Sequence, residues 1–420
     1  MPMSHGLMVW KYSKGGYSIR KTSSGGHTCR ATHYPLQTDH CASPEMYSGQ
    51  VVLVAGLGST AADVACDLVG YASKIYLSHR RGNHVVSSYN HLDSALPCPD
   101  YPAQLARWCK GKPLDMISNR RMAGIVDAIS AFAPQATQKL FDNVVGTLAD
   151  SCFDLAPEWN FKPTPSILTH RPLISDHLVD HLRNESIISV GGLKRFIDGR
   201  VVELADGSTL EVDIVVFCTG YTADFSLMPE NSPIAASDSS KVEQTFQVPP
   251  LARLYKNIFL PSHPNSIAYL SSWTLADGIM PLSDLASMAV TQVWKGTFAL
   301  PSEEVMNRDI DAHHTWARMI AGRGGTFPEI VNRGPWINWL NDAAGTGVNE
   351  NLGYGLQGWL YWLSEPGFCS LLMTGVDSPH ILRLFDGRRK SWVGARDAIL
   401  RVNKDAQMRI KEHLGEKKLS

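Results

Sequence analysis

Six consecutive residues, Gly56-Leu57-Gly58-Ser59-Thr60-Ala61, have the types and spacing of a turn that carries backbone toward a pyrophosphate. Such a turn needs glycine at its sharp bend, a second glycine where the chain approaches the phosphates, and a small residue where the following helix meets the preceding strand. Gly56, Gly58 and Ala61 meet these needs in that order. A helix opening near Thr60 would offer unpaired N–H groups and a partial positive charge, with Ser59 and Thr60 at its first turn, so backbone does the binding. A bare GxGxxA is common in proteins. Here its setting adds weight: a β-branched run, Val51 to Ala55, precedes it and residues at helical spacing, Thr60 to Tyr71, follow it. A second strand, Lys74 to Ser78, then ends about 20 residues beyond the turn, where a dinucleotide unit needs it.

That second strand runs into Ser78-His79-Arg80-Arg81-Gly82. An NAD-binding unit carries an acid here for the ribose 2′-hydroxyl; this chain carries two arginines, whose guanidinium forks match a 2′-phosphate. NADP(H) is therefore expected over NAD(H), with Arg80 as the reader and Arg81 as the second candidate. A third place of interest is Cys218-Thr219-Gly220-Tyr221, after the apolar strand Ile214 to Phe217. Thr219 and Gly220 would let backbone approach a cofactor at the carboxyl ends of the strands, or would equally serve a strand-end turn with no ligand. His313-His314 has the look of a metal pair, but neighbours on a helix do not share a face, and the pair reads as solvated helix. No metal site is expected, and no catalytic side chain can be named.

These residues must be positioned by a chain of 420 residues, longer than one hydrophobic core usually supports, with 44% hydrophobic and 19% charged residues as in ordinary globular proteins. Lysine and arginine (39) balance aspartate and glutamate (40), so no bulk field recruits nucleic acid or an anionic membrane. The eight cysteines fall without a CxxC pair, which fits free thiols in a reducing compartment; neither disulfides nor zinc are expected. Leu7 to Trp10 is too short for a secretory core, no stretch approaches 18 apolar residues, and a cytoplasmic protein without a transmembrane segment is expected.

The elements divide unevenly. Residues 1–45 are rich in Gly, Ser, Thr and His and read as turns with at most one hairpin. Leu92 to Lys162 is helical in pattern, best at Pro134 to Leu148, and resembles an insertion or lid. Val201 to Leu204 and Ser208 to Val212 flank Asp206-Gly207, a strong hairpin signal. Pro229 to Pro250 reads as an interdomain linker. Ser266 to Leu270 is strand-like and leads through Gly278 and Pro281 to a helix at Leu282 to Lys295, closed by Gly296. Helices and aromatic residues fill the remainder without internal repeats.

Taken together, the motifs resemble the flavin-containing monooxygenase family, whose second dinucleotide motif reads GxGxSxxD. Val51 through Asp63 resembles it, preceded by Ser43-Pro44-Glu45-Met46-Tyr47-Ser48-Gly49, similar to the family's approach, and followed by Cys218-Thr219-Gly220-Tyr221, similar to the end of its NADP domain. Leu254 to Phe259, Met280-Pro281-Leu282-Ser283, Thr291 to Gly296 and Leu300-Pro301-Ser302 resemble the returning part of its FAD domain, in the right order, and the C-terminal part is similar to fungal members. The chain departs from the family in having no first GxGxxG before Gly56; Ala31-Thr32-His33-Tyr34 resembles a remnant of the FxGxxxH signature.

The resemblance implies an α/β fold in which a Rossmann-like NADP-binding domain, residues 46–228, is inserted in the remainder of an FAD-binding domain. Residues 1–45 would be that domain's residual N-terminal part, and residues 250–420 its C-terminal part with a helical extension. It implies two cofactors, NADP(H) and FAD, with Gly278 added to the cofactor-binding candidates. The implied activity passes one atom of O2 to nitrogen, sulfur or a ketone carbon of a small organic substrate, in secondary metabolism; the flavin carries the hard chemistry. The missing first motif leaves a second expectation: a truncated, flavin-free NADP(H)-binding protein. Losing that unit would bare sheet edges and apolar faces, which an oligomer or other partner would have to cover.

Overall fold

Six strands form the main sheet in the order β1 (Arg20–Lys21), β2 (His27–Arg30), β11 (Ile214–Phe217), β3 (Val51–Ala55), β4 (Lys74–His79) and β7 (Ile188–Gly191). All pairs are parallel except β1 with β2. The computed structural model describes residues 20–21, 27–30, 43–88, 112, 116, 119–133, 136–137, 139–140, 142–143, 146, 153–166, 170–220, 233, 251–270, 273, 279–322 and 329–416. Two compact units divide the chain: Lys11–Trp108 with Phe141–Asp224, and Met1–Trp10 with Cys109–Leu140 and Phe225–Ser420. The fold is α/β, built on a mostly parallel sheet.

β3 lies inside this sheet and is buried on both faces, which is why its sequence is continuously apolar rather than alternating. Val52 and Val54 face the helix α1 (Ser59–Asp67) through Ala61, Ala62 and Ala65. Leu53 and Ala55 face the other way, onto Val202, Leu204 and Val212. The second face is covered by a three-stranded antiparallel meander, β8 (Leu193–Asp198), β9 (Val201–Leu204) and β10 (Thr209–Glu211). The expected Asp206-Gly207 turn joins β9 to β10, with Gly207 at φ 86° and the Asp206 carboxylate accepting from Ser208 N–H at 2.9 Å. A short parallel pair, β5 (Val85–Val86) and β6 (Leu173–Ile174), and the helix α3 (Leu178–Arg183) complete this unit. α1 stops at Asp67, short of Tyr71, because Leu68 to Tyr71 turns through Gly70 at φ 90°.

The other unit is helical: α2 (Arg120–Phe132), α4 (Ile279–Trp294), α5 (Glu303–Gly322), α6 (Arg333–Ala344), α7 (Val348–Leu352), α8 (Leu356–Ser364), α9 (Pro366–Thr374) and α10 (Ala395–Glu416). Its core joins Leu285, Ala286 and Ala289 of α4 to Trp336 and Leu340 of α6 and to Ile258 and Phe259. The strand-like Ser266 to Leu270 reduces to one isolated bridge, Phe259 with Ala268. His313-His314 is corrected: α5 buries His314, 5% exposed, whose Nε2 lies 3.1 Å from the Ala252 carbonyl oxygen. Burial, aided by the charge of His314, also pushes His313 down to about 4, and its ring stacks on Trp316 at 5.7 Å. Of the expected Pro134 to Leu148 helix, residues 136–137, 139–140, 142–143 and 146 are described and are helical; the others lie outside the described residues.

Candidate functional site

The carboxyl ends of β3, β4 and β11 bring three turns to one edge of the sheet. Leaving β3, Gly56 takes φ 137°, a conformation that L side chains rarely adopt. A Cβ there would collide with the Cys218 carbonyl, whose carbon would lie 2.9 Å away. Gly58 differs in kind. Its φ of −105° and ψ of 176° suit any residue, and a Cβ would meet no protein atom within 4 Å. Gly58 caps α1, and Ala61 N–H and Ala62 N–H both donate to its carbonyl, at 3.0 and 3.1 Å. Among the described residues the N–H groups of Gly58, Ser59 and Thr60 have no backbone acceptor. The first turn of α1 holds no acid, so its partial positive charge is not neutralised locally. The Ser59 hydroxyl accepts from Ile174 N–H at 3.3 Å, and Ala61 packs fully buried beneath. This arrangement suits an anion held by backbone.

The second turn leaves β4. Arg80 and Arg81 are exposed, and among the described residues neither guanidinium meets a carboxylate. Their base, in contrast, is packed. His79, 7% exposed, places Nδ1 3.0 Å from the Arg81 carbonyl oxygen and Nε2 2.9 Å from Ser189 Oγ. Burial holds its pKa below the ordinary histidine range. Gly82 lies so close to Phe161 that a Cβ would collide with the Phe161 carbonyl. His170 lies near enough to Arg81 and His84 that burial first, and then their charges, lower its pKa. The result is a buried base that presents two exposed cationic forks to solvent, beside the glycine turn.

The third turn leaves β11. Cys218 N–H donates to the Ala55 carbonyl at 2.8 Å, and Thr219 and Gly220 follow, exposed, with Gly220 at φ 95°. Thr219 and Gly220 thus stand beside the bend at Gly56, whose φ and contact with Cys218 come from the same junction. Burial pushes the thiols of Cys66 and Cys218 up to about 11 and about 12, so neither serves as a nucleophile at neutral pH. Gly278 lies outside the described residues. Among the described residues no cluster could hold a metal ion.

Two residues of this site carry no motif. Gly192 receives the stem of Arg80: a Cβ at Gly192 would collide with Arg80 Cγ and approach its Cα and Cβ at 3.3 Å. Asn83, buried at 1% exposure, donates from Nδ2 to the Leu57 carbonyl at 3.0 Å. The Gly191-Gly192 pair was a visible signal, though one that reads first as a turn.

A glycine turn from a parallel strand into a helix, with two exposed arginines at the end of the next strand, has the geometry of a dinucleotide-binding α/β unit. The family model for flavin-binding monooxygenase-like proteins matches residues 34–418, and the chain belongs to that family. Monooxygenase aurF of Gibberella zeae is 38% identical over 88% of this chain and 67% of that protein. Flavin-containing monooxygenase 5 of Oryctolagus cuniculus is 26% identical over 88% of this chain and 61% of its own length, so the chain spans about three fifths of that relative. Among solved structures, S-allyl-L-cysteine S-oxygenase of Allium sativum aligns with TM-score 0.42 at 16% identity, over 92% of this chain and 58% of that one.

Proposed function

We propose that this chain works as an NADPH- and FAD-dependent monooxygenase, inserting one atom of O2 into a small organic substrate at nitrogen, sulfur or a ketone carbon, in fungal secondary metabolism. One observation carries the reading. The glycine at position 58 answers no need of the protein itself, and it stands beside two exposed arginines where an acid would serve NAD. In this reading Gly56 makes the bend, Gly58, Ser59 and Thr60 offer N–H groups to the pyrophosphate, and Ala61 lets the helix close on the strand. Arg80 takes the 2′-phosphate with Arg81 as a second fork, and Thr219 and Gly220 flank the cofactor's passage. In this reading residues 46–228, which carry most of the parallel sheet, form the NADP-binding domain, inserted in the remainder of the FAD-binding domain. Cysteines without pairing signatures suit the cytosol, and no described helix is long and apolar enough to cross a membrane.

The residues fit NADP(H). For FAD the fit is different: the sequence before Gly56 holds no GxGxxG, and the described residues form one glycine cradle, the one after β3. FAD is assigned on family membership, with Gly278 as a candidate beside it. The test is the visible absorbance of the purified chain with added FAD and NADPH under air. Flavin bands that bleach with NADPH and return with oxygen support the monooxygenase. A chain that binds NADP⁺ but stays colourless and indifferent to FAD overturns the flavin half and leaves the dinucleotide half standing.

A further inference from the structure

Asn83 belongs to none of the motifs, yet it sits at the hub of the site. Asn83 is 1% exposed, and it donates from Nδ2 to the Leu57 carbonyl, 26 residues away in sequence. Its Oδ1 is buried with no hydrogen-bond partner among the described residues. A carbonyl oxygen only accepts, so the NH2 end of the amide must face Leu57, and that contact fixes the side chain's orientation. Burying an amide with its acceptor unsatisfied is unfavourable. What the polar side chain supplies in return is a donor for Leu57, the middle residue of the glycine turn.

That bond has a geometric consequence. The Leu57–Gly58 peptide is trans, and in a planar trans peptide C=O and N–H point to opposite sides. With the Leu57 oxygen drawn inward to Asn83, the Gly58 N–H is turned outward. There Gly58 and Ser59 are exposed, a Cβ at Gly58 would meet no protein atom, and the N–H has no backbone acceptor among the described residues. We propose that Asn83 is a positioning residue for the dinucleotide: it locks the Leu57–Gly58 peptide so that the Gly58 N–H donates to the pyrophosphate. The proposal rests on the dinucleotide reading of the site. It makes residues 80–83 a single segment serving both phosphate groups, Arg80 directly and Asn83 through Leu57. Arg80 then discriminates between NADP and NAD, whereas Asn83 acts on both alike.

The experiment titrates the full-length chain, wild type, N83D and N83A, with NADP⁺ and with NAD⁺ at pH 8 and pH 5.5, alongside thermal unfolding of each. At pH 8 the ionised carboxylate of N83D turns an acceptor toward the Leu57 oxygen, and both dinucleotides should weaken by about tenfold. Burial against the Leu57 oxygen would raise that carboxyl's pKa well above the ordinary carboxylate range, so on acidification it takes up a proton and regains a donor, and the deficit relative to wild type should shrink to about threefold or less. N83A should weaken both dinucleotides equally at both pH values. The titratable groups around the segment, His79, Arg81, His84 and His170, are common to all variants, so the ratio to wild type isolates the new carboxyl. Affinities equal to wild type, a loss confined to NADP⁺, or an N83D deficit unchanged by pH overturns the proposal, as does a lowered melting temperature with unaltered binding. If N83D does not fold, N83A decides by its effect on the two dinucleotides. Wild-type chain that binds neither dinucleotide overturns the site reading itself, a distinguishable result.

Discussion

The glycine turn and the arginine turn leave neighbouring parallel strands, and they would read a dinucleotide in opposite ways. At residues 56–60 the contact groups are backbone N–H groups, held in place by packing at Gly56 against Cys218 and by the buried Ala61. At residues 80–81 the contact groups are exposed side chains on a buried base made by His79, Gly82 and Phe161. In the proposed reading backbone donors would meet the pyrophosphate, which NADP and NAD share, and guanidinium forks the 2′-phosphate, which only NADP carries. Affinity common to both cofactors and discrimination between them would then be separated in space, and substitutions should separate them in measurement.

The largest effect should come from Gly56→Val. At φ 137° a β-branched side chain is strained, and it would also collide with the Cys218 carbonyl. Together these should cost about 3 kcal/mol or more of stability, read by chemical denaturation, with binding of both dinucleotides lost. A variant that melts with the wild type would show that packing does not hold this turn. Next in size is Arg80→Ala. Removing a charge-assisted bond to phosphate should weaken NADP⁺ by about 1.5–3 kcal/mol in an equilibrium titration while NAD⁺ stays within about twofold. Equal losses for both would move the 2′-phosphate away from Arg80.

The two turns also differ in how much of them could be read from sequence. Gly56 to Ala61 and Arg80-Arg81 are runs of adjacent residues whose chemistry and strand context are local, and β3, β4, β11 and the hairpin about Gly207 stand where the apolar pattern places them. The supporting residues were hidden because their partners are distant: Asn83 answers to Leu57, and Gly192 to the stem of Arg80. His314 misled for the same reason, since the Ala252 carbonyl that claims it comes from a separate segment. In the helical unit the pattern is less informative still. α8 is apolar around most of its circumference, so periodicity could not say that Trp359 would be 55% exposed while Gly358 is buried. Its core is assembled from aromatic contacts, such as Trp273 with Trp336 at 5.2 Å and Phe298 with Trp339 at 5.8 Å, that no spacing rule specifies.

Gly58→Ala sharpens the contrast within the glycine turn. The backbone at φ −105° accepts alanine and the new methyl meets no protein atom, so stability should stay within about 0.5 kcal/mol of wild type. Binding of NADP⁺ and NAD⁺ should nevertheless fall together, by roughly tenfold, because the methyl occupies the line of approach to the pyrophosphate. Stability and binding would then part company at Gly58 and fail together at Gly56, two residues earlier. A Gly58→Ala chain that binds both dinucleotides normally would remove the main support for a pyrophosphate at this edge.

The smallest effect, and the most selective, should come from Gly192→Ala. Gly192 has no positive φ, so its backbone tolerates alanine, but the methyl would collide with Arg80 Cγ and displace a flexible stem rather than fixed backbone. Arg80 should still reach the 2′-phosphate from a poorer starting position, lowering NADP⁺ affinity by about threefold, less than 1 kcal/mol, with NAD⁺ unchanged. The double variant makes the assignment strict. If Gly192 acts only by seating Arg80, Gly192→Ala introduced into Arg80→Ala should cost nothing further, a coupling equal to the whole effect of the single change. Additive losses in that cycle would mean that Gly192 shapes the site through the sheet edge at β7 and not through the arginine.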